Sequence, residues 1–131
     1  MNRKGKGITA ERELIHLFWQ SGWAAVRVAG SGASRYPTPD LLAGSASRAL
    51  AVECKSCGSG NQYLDKEEVA NLMRFATLFG AEAWVGVRFT RSAWIFVAAA
   101  DLKRTETGFV VNKAAGISFS ALLEHPVASS L

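Results

Sequence analysis

The sequence predicts an α/β domain in which a mixed central β-sheet is flanked by helices. Hydrophobic residues recur at helical spacing in two stretches and at strand spacing in several others, in the order helix, three strands, helix, strands. Of the 131 residues, 49% are hydrophobic and 20% charged, which suits one packed core and is too apolar for a disordered chain. Gly, Ser and Pro clusters punctuate the chain as loops without repeats, so one domain spanning 1–131 is expected.

The first seven residues, Met1–Gly7, read as a flexible basic arm carrying Arg3, Lys4 and Lys6. Thr9 then serves as N-cap of a helix to about Gln20, with Glu11 and Glu13 in the first turn, where the positive end of the helix dipole favours them. Glu11, Leu14, Ile15 and Phe18 follow the i, i+3, i+4, i+7 spacing, so Glu11 ends an apolar stripe, an odd place for a carboxylate. Gly22 stops the helix, Trp23–Ala29 forms a strand, and Gly30–Pro39 is a flexible loop. Asp40–Ala43 and Leu50–Lys55 form an antiparallel pair across the Gly44–Arg48 hairpin. Alternation puts Leu50, Val52 and Cys54 on one face of the second strand and Ala51, Glu53 and Lys55 on the other.

Gly58–Gln62 reads as another loop. A second amphipathic helix covers Asp65–Phe79, with Val69, Leu72, Met73, Ala76 and Phe79 at helical spacing and Gly80 as its stop. Trp84–Phe89 and Trp94–Ala98 are strands joined by a tight turn, Phe109–Val111 adds an edge strand, and Ser118–Glu124 a short last helix. The four tryptophans, Trp19, Trp23, Trp84 and Trp94, fit packing better than base stacking at these positions.

Fifteen Lys and Arg against eleven Asp and Glu give a net charge of +4. The excess lies early, in Arg3, Lys4, Lys6 and Arg12 and then Arg27, Arg35 and Arg48, as on a surface that meets phosphates. Cys54 and Cys57 are the only cysteines, which excludes a disulfide scaffold and favours the reducing cytoplasm. Their C-x-x-C spacing would need two further ligands for zinc, and only His16 and His125 are on offer, at positions that fit ordinary structural or surface roles better. The longest apolar run, Trp94–Ala100, is too short to span a bilayer, so no membrane association is expected.

Three features carry chemistry: Glu11 on the first helix, Pro39-Asp40 opening a strand, and Glu53-Cys54-Lys55 in its partner. Singly, each has an ordinary reading, as a turn or as a solvated ion pair. Together, the hairpin brings Asp40 and Glu53 to one end of the sheet, and the first helix can add Glu11. Carboxylates so close repel unless protonated, paired or bridged by a cation, and oxygen-only ligands suit magnesium, or manganese in its place. An ion on Asp40, Glu53 and the Cys54 backbone carbonyl would polarise a phosphodiester, with Lys55 orienting water or stabilising the pentavalent phosphate. This is the chemistry of a phosphodiester hydrolase.

Arg3-Lys4-Gly5, Ala10-Glu11-Arg12-Glu13-Leu14-Ile15, Val26-Arg27, Ser31-Gly32, Pro39-Asp40, Glu53-Cys54-Lys55, Tyr63 and Phe75–Gly80 closely resemble the archaeal-type Holliday junction resolvases. The acidic core pattern alone specifies only the wider superfamily of restriction-endonuclease-like nucleases. The resemblance implies that nuclease fold and a homodimer that nicks two opposing strands of a four-way DNA junction with magnesium and no nucleotide cofactor. It further implies Glu11, Asp40 and Glu53 as metal-site carboxylates and Lys55 as catalytic lysine. Arg12 and Arg27 would hold phosphates, Ser31 would sit on a loop that closes on DNA, and Arg3, Lys4, Lys6 and Arg35 would add DNA contacts. Phe75 and Phe79 match positions linked with dimer packing, and with Leu72 they give the second helix more apolar surface than one core stripe uses. Gly80-Ala81 departs from the family's paired glycines. The rival readings are a duplex or flap nuclease of the same superfamily and a junction-binding protein without activity. The expected location is cytoplasmic, with the nucleoid of an archaeal cell or in the host of a virus.

Overall fold

The computed structural model describes the backbone of residues 3–30, 35–58 and 60–125, with side chains described from residue 7. Helix α1 (Arg3–Gln20) is followed by strands β1 (Ala24–Arg27), β2 (Leu41–Gly44), β3 (Ala49–Cys57) and β4 (Asn61–Asp65), then helix α2 (Lys66–Phe79). Strands β5 (Glu82–Phe89), β6 (Trp94–Ala98), β7 (Lys103–Arg104) and β8 (Gly108–Asn112) precede the short helix α3 (Phe119–Glu124). The central sheet runs β1-β2-β3-β5-β6; β3 and β5 are parallel and the other neighbours antiparallel. A parallel pair needs a crossover, which β4 and α2 supply.

The period of two along β3 sorts the core into two layers. Leu50 and Val52 pack with Leu14 and Phe18 of α1 and Leu122 of α3, while Ala51 packs with Val69, Leu72 and Ala76 of α2. The sheet is thus covered on both faces, and Glu53 and Lys55 share the side of Ala51, as the alternation predicts. Gly86 and Gly80 are among the glycines that geometry requires. A side chain on Gly86 would meet the Phe96 ring at 2.8 Å, where Trp94 and Phe96 stack, and Gly80 closes α2 at a left-handed φ of 84°.

The structure departs from the sequence reading at several points. Helix α1 starts at Arg3, so Thr9 lies inside it rather than capping it, and residues 3–7 are helical turns rather than an arm. Once Leu14 and Phe18 anchor the helix, extending it adds a hydrogen bond per residue without a new nucleation cost, which with the good helix formers Arg3, Lys4 and Lys6 offsets the poor propensity of Gly5 and Gly7. The Gly58–Gln62 loop is partly strand: Asn61–Asp65 pairs antiparallel with β8, and its polar residues hide it from a pattern search. Phe109–Val111 is no edge of the main sheet but the centre of a second one, ordered β4-β8-β7. Trp19 is 57% exposed rather than core, and its Nε1 donates to the Ala25 carbonyl at 3.0 Å. Met73 and Phe79 also fall outside the buried stripe of Val69, Leu72 and Ala76.

Arg48 belongs to the fold and not to a phosphate-facing surface. Its guanidinium donates twice to Glu82 at 2.8 Å and to the Leu122 and Leu123 carbonyls at 2.8 and 3.2 Å, and lies 5.4 Å from the Trp23 ring. One side chain therefore ties the β2–β3 hairpin to β5 and satisfies carbonyls at the end of α3. Burial works against the Glu82 carboxylate, but the hydrogen bonds from Arg48 and Trp84 outweigh it and hold the acid below its ordinary range. Among the described residues, no helix is long and apolar enough to cross a membrane.

Candidate active site

Asp40 lies where the chain enters β2, after the fully buried Pro39. Its amide donates to the Val52 carbonyl at 3.1 Å, and its carbonyl accepts from Val28 at 2.9 Å, so its backbone is held from both sides. Its Oδ2 accepts the Cys54 amide at 2.9 Å, which fixes the carboxylate against β3. Leu41 faces Val52 in the β2–β3 register, so Asp40 falls beside Glu53, and the two carboxyls share a hydrogen bond. Lys55 sits two residues on, its ammonium 3.9 Å from Glu53 and 2.8 Å from Glu68 of α2.

The electrostatics follow from crowding. Burial first, and then the Asp40 charge, push the Glu53 carboxyl up to about 8, with Lys55 only partly opposing them. Burial works against the Lys55 charge too, yet the contact with Glu68 and the surrounding carboxylates outweigh it and raise the ammonium above its ordinary range. Glu11, from α1, is raised by burial and by Asp40 against the pull of Arg27, whose Nε donates to its Oε1 at 3.1 Å.

The structure therefore brings Asp40, Glu53 and Lys55 together, with Glu11 in electrostatic reach and engaged by Arg27. Among the described residues, no three His, Cys, Asp or Glu side chains are grouped to hold one ion, so the direct carboxylate set is the Asp40–Glu53 pair. Arg12 and Arg35 are exposed, and the Arg35 guanidinium lies 5.6 Å from the Tyr36 ring. Ser31 and the side chains of Arg3, Lys4 and Lys6 lie outside the described residues. Leu72, expected at an interface, is instead core: it is 3% exposed and shares the sheet-facing stripe with Val69 and Ala76. Phe75 is half-buried and stacks on the exposed Phe79 at 5.2 Å. Cys54 and Cys57 pack into opposite core layers, as positions three apart on a strand must, and neither forms a disulfide. Burial pushes the Cys54 thiol up, away from thiolate chemistry.

Two groups escaped the sequence reading. Glu13 accepts from Arg88 Nε and Trp94 Nε1, both at 2.8 Å, and so pins α1 to the β5–β6 hairpin. Glu68 meets Lys55 only because α2 folds back over β3. In sequence it sits three residues after the N-cap Asp65, which reads as a capping signal.

The archaeal Holliday junction resolvase (Hjc) family matches residues 1–130. The chain is 43% identical to a crossover junction endodeoxyribonuclease Hjc of Archaeoglobus fulgidus, across 84% of this chain and 81% of that one. It is 33% identical to the Hjc of Sulfolobus acidocaldarius, over 82% and 76% of the two chains. The solved structure of Archaeoglobus fulgidus Hjc, described as a Holliday junction resolvase from an archaeal hyperthermophile, superposes with a TM-score of 0.84 at 39% identity, covering 88% of this chain and 98% of that one. The expected restriction-endonuclease-like fold is thus present. On these matches, and on the arrangement of Asp40, Glu53 and Lys55 at the end of its sheet, the chain belongs to the archaeal Holliday junction resolvase family.

Proposed function

We propose that this chain is a divalent-metal-dependent endonuclease that resolves four-way DNA junctions by paired, symmetric nicks, acting as a homodimer. The observation that carries the reading is the Asp40–Glu53 pair, two carboxyls sharing a hydrogen bond with Lys55 beside them. Buried acids that repel until one takes a proton are relieved by a hard cation, and an oxygen donor set fits magnesium, with manganese as substitute. Asp40, Glu53 and the Cys54 carbonyl would hold it, with Glu11 adding charge beside Asp40. When bound, such an ion polarises a phosphodiester and acidifies water. Lys55 offers its ammonium to charge growing on the phosphate. Arg12 and Arg27 offer guanidinium groups to the backbone next to the site, while Ser31, Arg35, Arg3, Lys4 and Lys6 extend the DNA contact on sequence grounds. Cleavage of a labelled four-way junction, a linear duplex and a flap, each with magnesium or with EDTA, tests this. Junction cleavage in magnesium alone supports it, and equal cleavage of the duplex overturns it.

The raised Glu53 makes a pH prediction. Between the ordinary carboxyl range and about 8, the folded chain keeps a proton that the unfolded chain releases, so stability falls as pH rises through that window. Glu13 and Glu82, held low by their arginines, contribute the opposite slope, but only below the ordinary range. The Tm in EDTA is expected to drop between about pH 6 and about pH 8. Saturating magnesium, which selects the ionised carboxylates, should flatten that drop. A Tm insensitive to pH in EDTA would contradict the shared proton.

The homodimer is supported by apolar surface. Leu78, Tyr36, Phe79 and Val26 are 78%, 69%, 57% and 56% exposed, a contiguous liability unless covered. Tyr36, Pro37, Arg74, Phe75, Leu78 and Phe79 line a groove of about 260 Å³, and Phe79 also borders a second of about 240 Å³ over β1 and β2. Strand β1 is a sheet edge, which a two-fold mate would also shield. Phe79→Glu, at an exposed position, is expected to sediment as a folded monomer that no longer nicks in pairs. A dimeric Phe79→Glu with paired nicking would move the interface elsewhere.

A further inference from the structure

Lys55 has two acidic neighbours, and the nearer is not the one in the strand motif. Its Nζ is 2.8 Å from Glu68 Oε2 and 3.9 Å from Glu53 Oε2. The Glu68 Oε2 is itself sealed from solvent and has no other hydrogen-bond partner. The position of Glu68 is set by the local fold: its amide donates to the Asp65 Oδ1 cap at 2.7 Å, and the first turn of α2 favours its negative charge. Asp65 is in turn fixed opposite Gly108 in the β4–β8 ladder. A rigid chain of contacts thus runs from the second sheet to the ammonium.

An unrestrained lysine has a choice here. Lysine is a flexible four-carbon stem carrying a point charge, and an ammonium that closed on Glu53 would neutralise one of the two carboxylates on which a cation depends. Glu68 draws the ammonium toward α2, leaving it next to the Asp40–Glu53 pair without capping it. We infer that Glu68 is a positioning residue for the hydrolytic reaction, holding Lys55 beside the carboxylate pair and out of the seat of the cation. The inference rests on the endonuclease reading of the same site.

The test compares wild type, Glu68→Ala and Glu68→Gln for single-turnover cleavage of a four-way junction in magnesium, for junction Kd in EDTA, and for Tm. Glu68→Ala is expected to cleave at least about tenfold more slowly with its Kd within about twofold of wild type and its fold intact, because the effect is on the reacting lysine and not on DNA affinity. Glu68→Gln, which keeps an acceptor oxygen at the same reach, should recover part of the rate. A crystal structure of Glu68→Ala should show the Lys55 ammonium closer to Glu53 than 3.9 Å, a movement that a merely structural role would not produce. An unchanged cleavage rate, or a loss matched by weaker junction binding or by unfolding, would overturn the assignment. Wild type that cleaves while Glu68→Ala cleaves equally removes only Glu68; wild type that leaves junctions intact removes the endonuclease reading and this inference with it.

Discussion

Asp40→Asn is expected to slow four-way junction cleavage in magnesium by at least about a thousandfold, while junction affinity in EDTA stays within a few-fold of wild type. The substitution is nearly isosteric, and an Asn oxygen can still accept the Cys54 amide that Asp40 Oδ2 accepts at 2.9 Å, so the hairpin keeps its geometry. What is lost is the charge that, after burial, raises Glu53 and that a divalent cation would balance. Removing that repulsion should return Glu53 toward the ordinary carboxyl range, so the Tm in EDTA should also lose part of its pH dependence. Affinity, by contrast, rests on cations meeting phosphates, and one fewer negative charge beside DNA can only help it. Gel-shift and single-turnover assays on the same preparation separate the two effects. Near-normal cleavage by Asp40→Asn would remove the residue from the chemistry.

Arg48→Ala carries the largest expected effect on stability, a loss of about 3 kcal/mol. The side chain is 5% exposed, and its removal takes two hydrogen bonds from the Glu82 carboxylate, which keeps the Trp84 indole, and one donor each from the Leu122 and Leu123 carbonyls. It also takes the guanidinium from the face of Trp23. Glu82→Gln should cost less, because an amide oxygen still accepts from the guanidinium. Glu82 is held below its ordinary range, so its contribution is present above that range and lost as pH falls through the lowered value. The gap between wild type and Arg48→Ala should therefore narrow in acid. Urea denaturation at neutral and acid pH measures both. A variant within about 0.5 kcal/mol of wild type would show that the network is dispensable.

Local patterns made the Asp40–Glu53–Lys55 arrangement legible before the structure. A hairpin of known length sets which residues face each other, and a period of two sets which share a side, so two carboxylates and a lysine could be placed from spacing alone. The same rule separates Cys54 from Cys57. What escaped depends on contacts between distant segments. Arg48 looks like one more surface cation until α3 brings its last carbonyls to it, 74 and 75 positions later. Strand β4 has only Leu64 buried and exists because β8 pairs with it, so no apolar alternation announced it. Glu68 hides behind a local explanation, since a glutamate three residues after an N-cap is accounted for by the helix. Leu72 shows the opposite error: a helix with apolar residues on more than one side does not reveal which side meets the sheet, and the structure turns Leu72 inward and Phe79 outward.

The central claim is that two copies of this site, each built on Asp40, Glu53 and Lys55, cut one junction in a concerted pair. A supercoiled plasmid that extrudes a single cruciform reports this directly, because two nicks within one binding event give linear DNA, whereas independent nicks release supercoiling and leave open circles. With magnesium and the wild-type protein, linear product should predominate from the earliest times, and Asp40→Asn should leave the plasmid supercoiled. Open circles accumulating first, or cleavage of an otherwise identical plasmid without the cruciform, would contradict the account.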